Sequence, residues 1–222
     1  EDDGVREAAA KVIGAACALL GEETTSDVVQ ELILEKSDTS ADRKHGKACC
    51  CHRILASEVG KQIDDELLSS MSSLVKRLMK DEKSNVREAA CVAVGAVIGS
   101  ASDTSSCIAD VESAILRCMD PKETMEVHRA VAKGLCVAAR LKPKIFVSET
   151  CLSLMDGALK LAMSGAQRVQ LSFNDFLWLA FDAGKGDEGI EAYSGVANFE
   201  NARTAKTLYS KVLVRIKGVE ED

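Results

Sequence analysis

The chain has 222 residues, 46% hydrophobic, 28% charged and only 4% aromatic, with two prolines and a net charge of −7. That apolar content excludes a disordered chain, and the scarcity of aromatics and prolines excludes an ordinary β-sandwich, leaving a mostly helical globular protein. The longest uncharged run, Ala89 to Ser102, falls short of the roughly 18 to 20 residues that span a bilayer, so a soluble protein is expected.

Helical periodicity and turn chemistry predict helices over 4–20, 26–35, 44–58, 64–80, 85–99, 106–119, 124–140, 146–163, 166–182 and 202–217. The first helix is already under way at the first residues, which reads as a piece of a longer protein. Asp3-Gly-Val-Arg-Glu-Ala-Ala-Ala-Lys-Val-Ile-Gly-Ala15 returns 81 residues later as Ser84-Asn-Val-Arg-Glu-Ala-Ala-Cys-Val-Ala-Val-Gly-Ala96. His45 to His52 falls at the halfway register, so Val5, His45, Val86, Val127 and Arg168 mark a period of 40 or 41 residues. Each period holds two helical patterns. Val86, Ala89, Ala90, Ala93 and Val97 line one face of the second helix, and Leu67, Met71, Leu74, Val75 and Leu78 supply a bulkier face on the first. Small residues on one helix admit large ones from its neighbour, so each pair is expected to form an antiparallel hairpin, and stacked hairpins an all-α solenoid.

Asp120-Pro121 and Lys142-Pro143 mark helix boundaries, and Ser37 to Asp42 and Ser100 to Ser106 read as polar spacers. Asp64-Asp65-Glu66 read as helix N-terminal carboxylates, favoured by the dipole. The expected organisation is a solenoid over 1–182 of about five repeats, the first incomplete, then a flexible loop over 183–201 and a capping helix and tail over 202–222. Phe173, Phe176, Trp178 and Phe181 spread around their helix, and the apolar face of the tail helix, Ala205, Leu208, Val212, Leu213 and Ile216, is expected to cover it.

Nine cysteines, at 17, 49, 50, 51, 91, 107, 118, 136 and 151, lie mostly among Ala, Val and Leu, and their odd number fits buried free thiols in a reducing cytosol. His45, Cys49 and His52 sit at i, i+4 and i+7, which would put three zinc ligands on one helix face. No Cys-x-x-Cys partner accompanies them, and the expected metal content is none. No Gly-x-Ser-x-Gly elbow occurs, and the Gly184 to Gly189 loop lacks phosphate-loop spacing, so neither an enzyme nor a nucleotide site is expected.

Charge is uneven: residues 1–40 carry 3 basic and 10 acidic side chains, while 41–180 carry 19 and 17. A general polyanion binder is excluded, but a local basic stripe is not. Stacking would align the turns between paired helices along one edge, gathering Arg43, Lys44, Lys47, Lys80, Lys83, Arg87, Lys122 and Arg129. Such an edge is suited to ribosomal RNA phosphates or protein partners. Its second reading is structural: Arg87 and its equivalent Arg6 bridge acids of the next repeat.

The period and the Val-Arg-x-Ala-Ala pattern after the turn resemble HEAT repeats. Ser84-Asn-Val-Arg-Glu-Ala-Ala-Cys-Val-Ala-Val-Gly95, Arg43-Lys-His-Gly-Lys47, Leu171-Ser-Phe-Asn-Asp-Phe-Leu-Trp-Leu179 and Ala202-Arg-Thr-Ala-Lys-Thr-Leu-Tyr-Ser-Lys-Val-Leu213 resemble the C-terminal part of the general-control translational activators, very large HEAT proteins. The resemblance implies a cytoplasmic, cofactor-free, non-enzymatic scaffold. It would ride the ribosome and help the general-control kinase sense uncharged tRNA and phosphorylate the alpha subunit of initiation factor two. No residue of the family's kinase-contacting surface is carried over. The alternatives are a HEAT scaffold of another assembly, such as a transport receptor or phosphatase scaffold using its concave face, and a zinc-dependent enzyme.

Overall fold

The computed structural model describes residues 3–35, 40–57, 60, 62–142, 145–147, 149–164 and 166–182. The expected loop over 183–201 and capping helix over 202–217 lie outside them. The described residues form α1 (Asp3–Leu20), α2 (Glu22–Val28), a π-helical turn (Val29–Ile33), α3 (Ala41–Leu55), α4 (Asp65–Leu78), α5 (Ser84–Ser100), α6 (Thr104–Cys118) and α7 (Met125–Leu141). Two 3-10 turns, Ile145–Val147 and Glu149–Cys151, then lead into α8 (Leu152–Ser164) and α9 (Gln167–Asp182).

Side-chain caps set most of the starts. Ser40, Asp64, Asp103 and Thr124 each accept a hydrogen bond from the backbone N–H three residues on, at the heads of α3, α4, α6 and α7. The polar spacers are therefore shorter than expected, because their Ser, Thr and Asp residues cap the following helices. Three starts depart from the periodicity by three residues or more, one being α3, which begins at Ala41 instead of 44 because Ser40 caps it. α2 begins at Glu22 instead of 26, because Gly21 adopts φ 90, a left-handed conformation that ends α1 and restarts the chain at once. α8 begins at Leu152 instead of 146; the β-branched and polar run before it winds as 3-10 turns, and the Cys151 thiol donates to the Ile145 carbonyl.

The helices alternate between two layers. α1, α3, α5, α7 and α9 stack in chain order, each on the next, while α4, α6 and α8 cover them from one side. This is an all-α solenoid: four helix pairs preceded by α1, which has no first helix of its own among the described residues. The inner stack is tight because its contact residues are small. A Cβ on Gly95 would lie 1.8 Å from the Gly134 carbonyl oxygen, and one on Gly134 would lie 2.0 Å from the Cys91 carbonyl oxygen, so the backbones of α5 and α7 touch directly. Leu67, Met71, Leu74, Val75 and Leu78 of α4 are buried against this stack, each contributing about 1.5–3 kcal/mol of apolar burial.

The 81-residue copy carries its own control. Val86 and Ala93 of α5 are fully buried, whereas the equivalent Val5 and Val12 of α1 are 62% and 69% exposed. The repeated pattern takes opposite burial because α5 has the first helix of its pair, α4, packed on it and α1 has no such helix among the described residues. At the other end, Phe173 and Phe176 are fully buried, and Phe176 meets Phe146 edge to face at 4.9 Å. The 3-10 segment before α8 therefore supplies part of the cover that the expected tail helix was assigned. The side chains of Trp178 and Phe181 lie outside the described residues.

Candidate functional site

The turn edge is built on a repeated carboxylate. Asp81 accepts from the Lys83 N–H at 3.0 Å, and Asp120 accepts from the Lys122 N–H at 2.8 Å, closing the same short turn in successive repeats. Arg87 Nη1 donates to the Asp81 and Glu82 carbonyls at 2.8 and 2.9 Å. Its Nε and Nη2 grip Glu123 of the next repeat at 2.8 and 2.7 Å, a bidentate pair whose side chains are only 15% and 14% exposed. One repeat earlier Lys44 Nζ meets Asp81 at 2.7 Å, and before that Arg6 Nη1 meets Asp42 at 2.8 Å. Cation to acid, one period apart, the ladder ties each repeat to the next. Burial would raise the Asp81 and Glu123 carboxyls, but the hydrogen bonds and charges of Lys44 and Arg87, with the Lys83 and Thr124 N–H groups, hold both below their ordinary values.

The eight cations expected along one basic edge therefore divide. Lys44 and Arg87 are engaged by acids of the next repeat, as the structural reading of Arg6 and Arg87 had it, and Lys47 donates to the Glu35 carbonyl at 2.7 Å. Arg43, Lys80, Lys83 and Lys122 are exposed. Arg129 is not brought to the turns: it occupies the α7 register that Glu88 fills in α5 and Glu7 in α1, and all three face a groove on the opposite side of the stack from α4, α6 and α8.

That groove, about 840 Å³, crosses α1, α3, α5, α7 and α9. Its floor is small and apolar, with Ala89, Val92, Ala130 and Val137. Glu7, Glu88 and Glu126 gather toward the N-terminal ends of these helices, and Arg53, Lys133 and Arg140 lie further along. Arg53, Arg129, Lys133 and Arg140 make no ion pair or hydrogen bond among the described residues. Burial, then the neighbouring Glu126 and Asp3 charges, push the Glu88 carboxyl up, with Arg129 opposing. Burial, then the Arg53 and Lys133 charges, push His52 down to about 4, so it stands neutral beside two cations. The residues of the groove escaped the sequence reading, although one signal was there: the second residue after four of the five anchors, Glu7, Lys47, Glu88 and Arg129, is charged, and all of these but Lys47 line the groove.

His45, Cys49 and His52 all border this groove but do not converge as a ligand set. His45 Nδ1 accepts from Arg6 Nε at 3.3 Å and lies 3.8 Å from Cys49 Sγ. Burial, ahead of the Glu7 charge, pushes the Cys49 thiol up to about 11, away from the thiolate a metal needs. No group of three or more His, Cys, Asp or Glu side chains among the described residues is arranged to hold a metal ion. No described helix is long and apolar enough to cross a membrane.

Residues 1–167 match the family described as stalled ribosome sensor GCN1-like, HEAT repeats. The chain belongs to this GCN1-like HEAT family. It is also 26% identical over 197 residues to Protein ILITYHIA of Arabidopsis thaliana, a match that covers 86% of this chain and 7% of that protein. The chain thus spans a small fraction of the length of its curated relative. Two crystal structures of engineered proteins share the GCN1-like chain's fold: one at 15% identity and TM-score 0.54, covering 95% of this chain and 92% of the other, and one at 12% and 0.52, covering 96% and 93%.

Proposed function

We propose that this chain is one segment of a cytoplasmic, ribosome-associated HEAT scaffold that supports the general-control kinase in phosphorylating the alpha subunit of initiation factor two. The observation that carries the reading is its membership of a family described by stalled-ribosome sensing. The exposed turn lysines Lys80, Lys83 and Lys122, on an edge where Lys44 and Arg87 are engaged in stacking, supply a physical contact of the right sign for ribosomal phosphates. The repeat stack does no chemistry in this reading; it holds partners in register along a stiff surface.

Co-sedimentation of the purified chain with ribosomes across a salt series tests the contact. If three lysines each neutralise a phosphate, replacing Lys80, Lys83 and Lys122 by Glu flattens the slope of log affinity on log salt by about 2 to 3. Unchanged sedimentation of that variant at every salt concentration removes the edge from the reading. Kinase support is read separately, as phosphorylation of the initiation-factor subunit in ribosome-containing reactions with and without the chain. The concave groove favours a second, protein-binding use of the same scaffold.

A further inference from the structure

Some cations of the described residues are paired across the stack. Lys44, Arg87 and Arg6 each reach an acid one repeat away, and Lys76 pairs with Asp110 between α4 and α6. Arg53, Lys133 and Arg140 are not: they share one groove, with Asp175 of α9 on the same lining, and among the described residues none of the three makes an ion pair or side-chain hydrogen bond. Lys133 and Arg140 are two helical turns apart on one face of α7, and the charges of Lys133 and Arg53 both act on His52, which brings α3 and α7 to a common point across α5. A surface that leaves three guanidinium and ammonium groups unpaired over an apolar floor is complementary to carboxylates arriving on another chain.

We propose that the concave groove docks an acidic, extended peptide segment of a partner protein, with its carboxylates on Arg53, Lys133 and Arg140. The small side chains of the floor let a peptide main chain lie close to the helices. Five helices at about 9 Å spacing present roughly 36 Å, enough for about 11 extended residues. The opposite end of the groove sets direction. Glu7, Glu88 and Glu126 line it, with Arg129 among them, and the Glu126 charge adds to burial in raising the Glu88 carboxyl, so a basic residue of the peptide is favoured there. The same three carboxylates repel a continuous polyanion. The described groove-lining residues also include no Phe, Tyr or Trp ring for base stacking, only the imidazoles of His45 and His52, so a peptide is favoured over RNA. The proposal rests on the HEAT stack and the groove, and does not require the ribosome contact.

Fluorescence anisotropy on the 222-residue chain, with a labelled alternating Glu-Leu peptide of about 11 residues ending in Lys, tests it directly. Arg53→Glu with Lys133→Glu is expected to weaken binding about tenfold for each lost charge-assisted contact, while the thermal unfolding midpoint stays at the wild-type value. Lys80→Glu with Lys83→Glu, on the turn edge, leaves peptide affinity unchanged. The reversed groove, Arg53→Glu/Lys133→Glu/Arg140→Glu, is expected to gain affinity for the matching Lys-Leu peptide, which excludes misfolding as the cause of the loss. Equal binding of the acidic peptide to wild type and the double variant overturns the proposal. So does equal affinity of the wild type for the Glu-Leu and Lys-Leu peptides, or tighter binding of an oligouridine of similar length at the same residues.

Discussion

The turn edge and the concave groove both carry cations but differ in how some of them are held. On the edge, Lys44 and Arg87 are clamped to acids one repeat on, and the clamp is partly buried. In the groove, Arg53, Arg129, Lys133 and Arg140 have no such partner among the described residues. A cation that recurs with the repeat is available to stitch neighbours together, so recurrence in sequence points first to stacking. Charges without a partner in the stack are the ones left for binding.

The contrast can be broken most severely at its shared foundation. The Gly95–Gly134 contact holds α5 on α7, the helices that carry residues of both regions, and a side chain at Gly134 would be driven into the Cys91 carbonyl. Gly134→Val is expected to cost about 3 kcal/mol or more, read by chemical denaturation, and to weaken edge and groove together. At Gly46, inside α3, a Cβ would meet no atom within 4 Å, so Gly46→Ala is expected to raise stability by about 0.5–1 kcal/mol.

Next in size is the clamp. Glu123→Ala strands the Arg87 guanidinium at a largely buried site and is expected to cost about 1–3 kcal/mol. A double-mutant cycle between Arg87 and Glu123 should return a coupling of about 1 kcal/mol or more, whereas one between Arg140 and Glu126 in the groove should return about zero.

Acid sharpens the difference further. Asp81 and Glu123 titrate below their ordinary range when folded, so the stability they contribute is fully present above the ordinary carboxylate pKa and is lost as pH falls through the folded value. His52 adds to the acid loss: folded it resists protonation down to about 4, while unfolded it titrates near 6.5, so stability declines between those values as pH falls. Unfolding midpoints from about pH 7 to about pH 4 should fall, and Glu123→Gln should remove part of the dependence. Glu88 has the opposite sign. Its carboxyl is raised, so its ionisation weakens the fold as pH rises through the folded value; Glu88→Gln is expected to raise the midpoint slightly at about pH 7 and leave it unchanged at about pH 4.

Much of the fold was legible because the repeat is carried by residues whose burial does not depend on detail. Val86, Ala89, Ala90, Ala93 and Val97 declare a helix face by spacing alone, and all five are buried. What escaped depended on single conformations: the left-handed Gly21 that moves α2 forward, and the 3-10 winding that shortens α8. The candidate sites were less legible. Pairing across a period, such as Lys44 with Asp81, is set by how far one hairpin rotates on the next, which periodicity does not encode. Arg129 reads as a turn residue by its place in the chain, yet its register with Glu7 and Glu88 puts it in the groove.

The central claim is that edge and groove are separate surfaces with separate partners. Ribosome co-sedimentation of two matched variants tests it most directly: Lys80→Glu/Lys83→Glu/Lys122→Glu on the edge, and Arg53→Glu/Lys133→Glu/Arg140→Glu in the groove. The expected result is that the edge variant leaves the ribosome pellet while the groove variant sediments with wild type. Ribosomes retained by the edge variant and lost by the groove variant would contradict it.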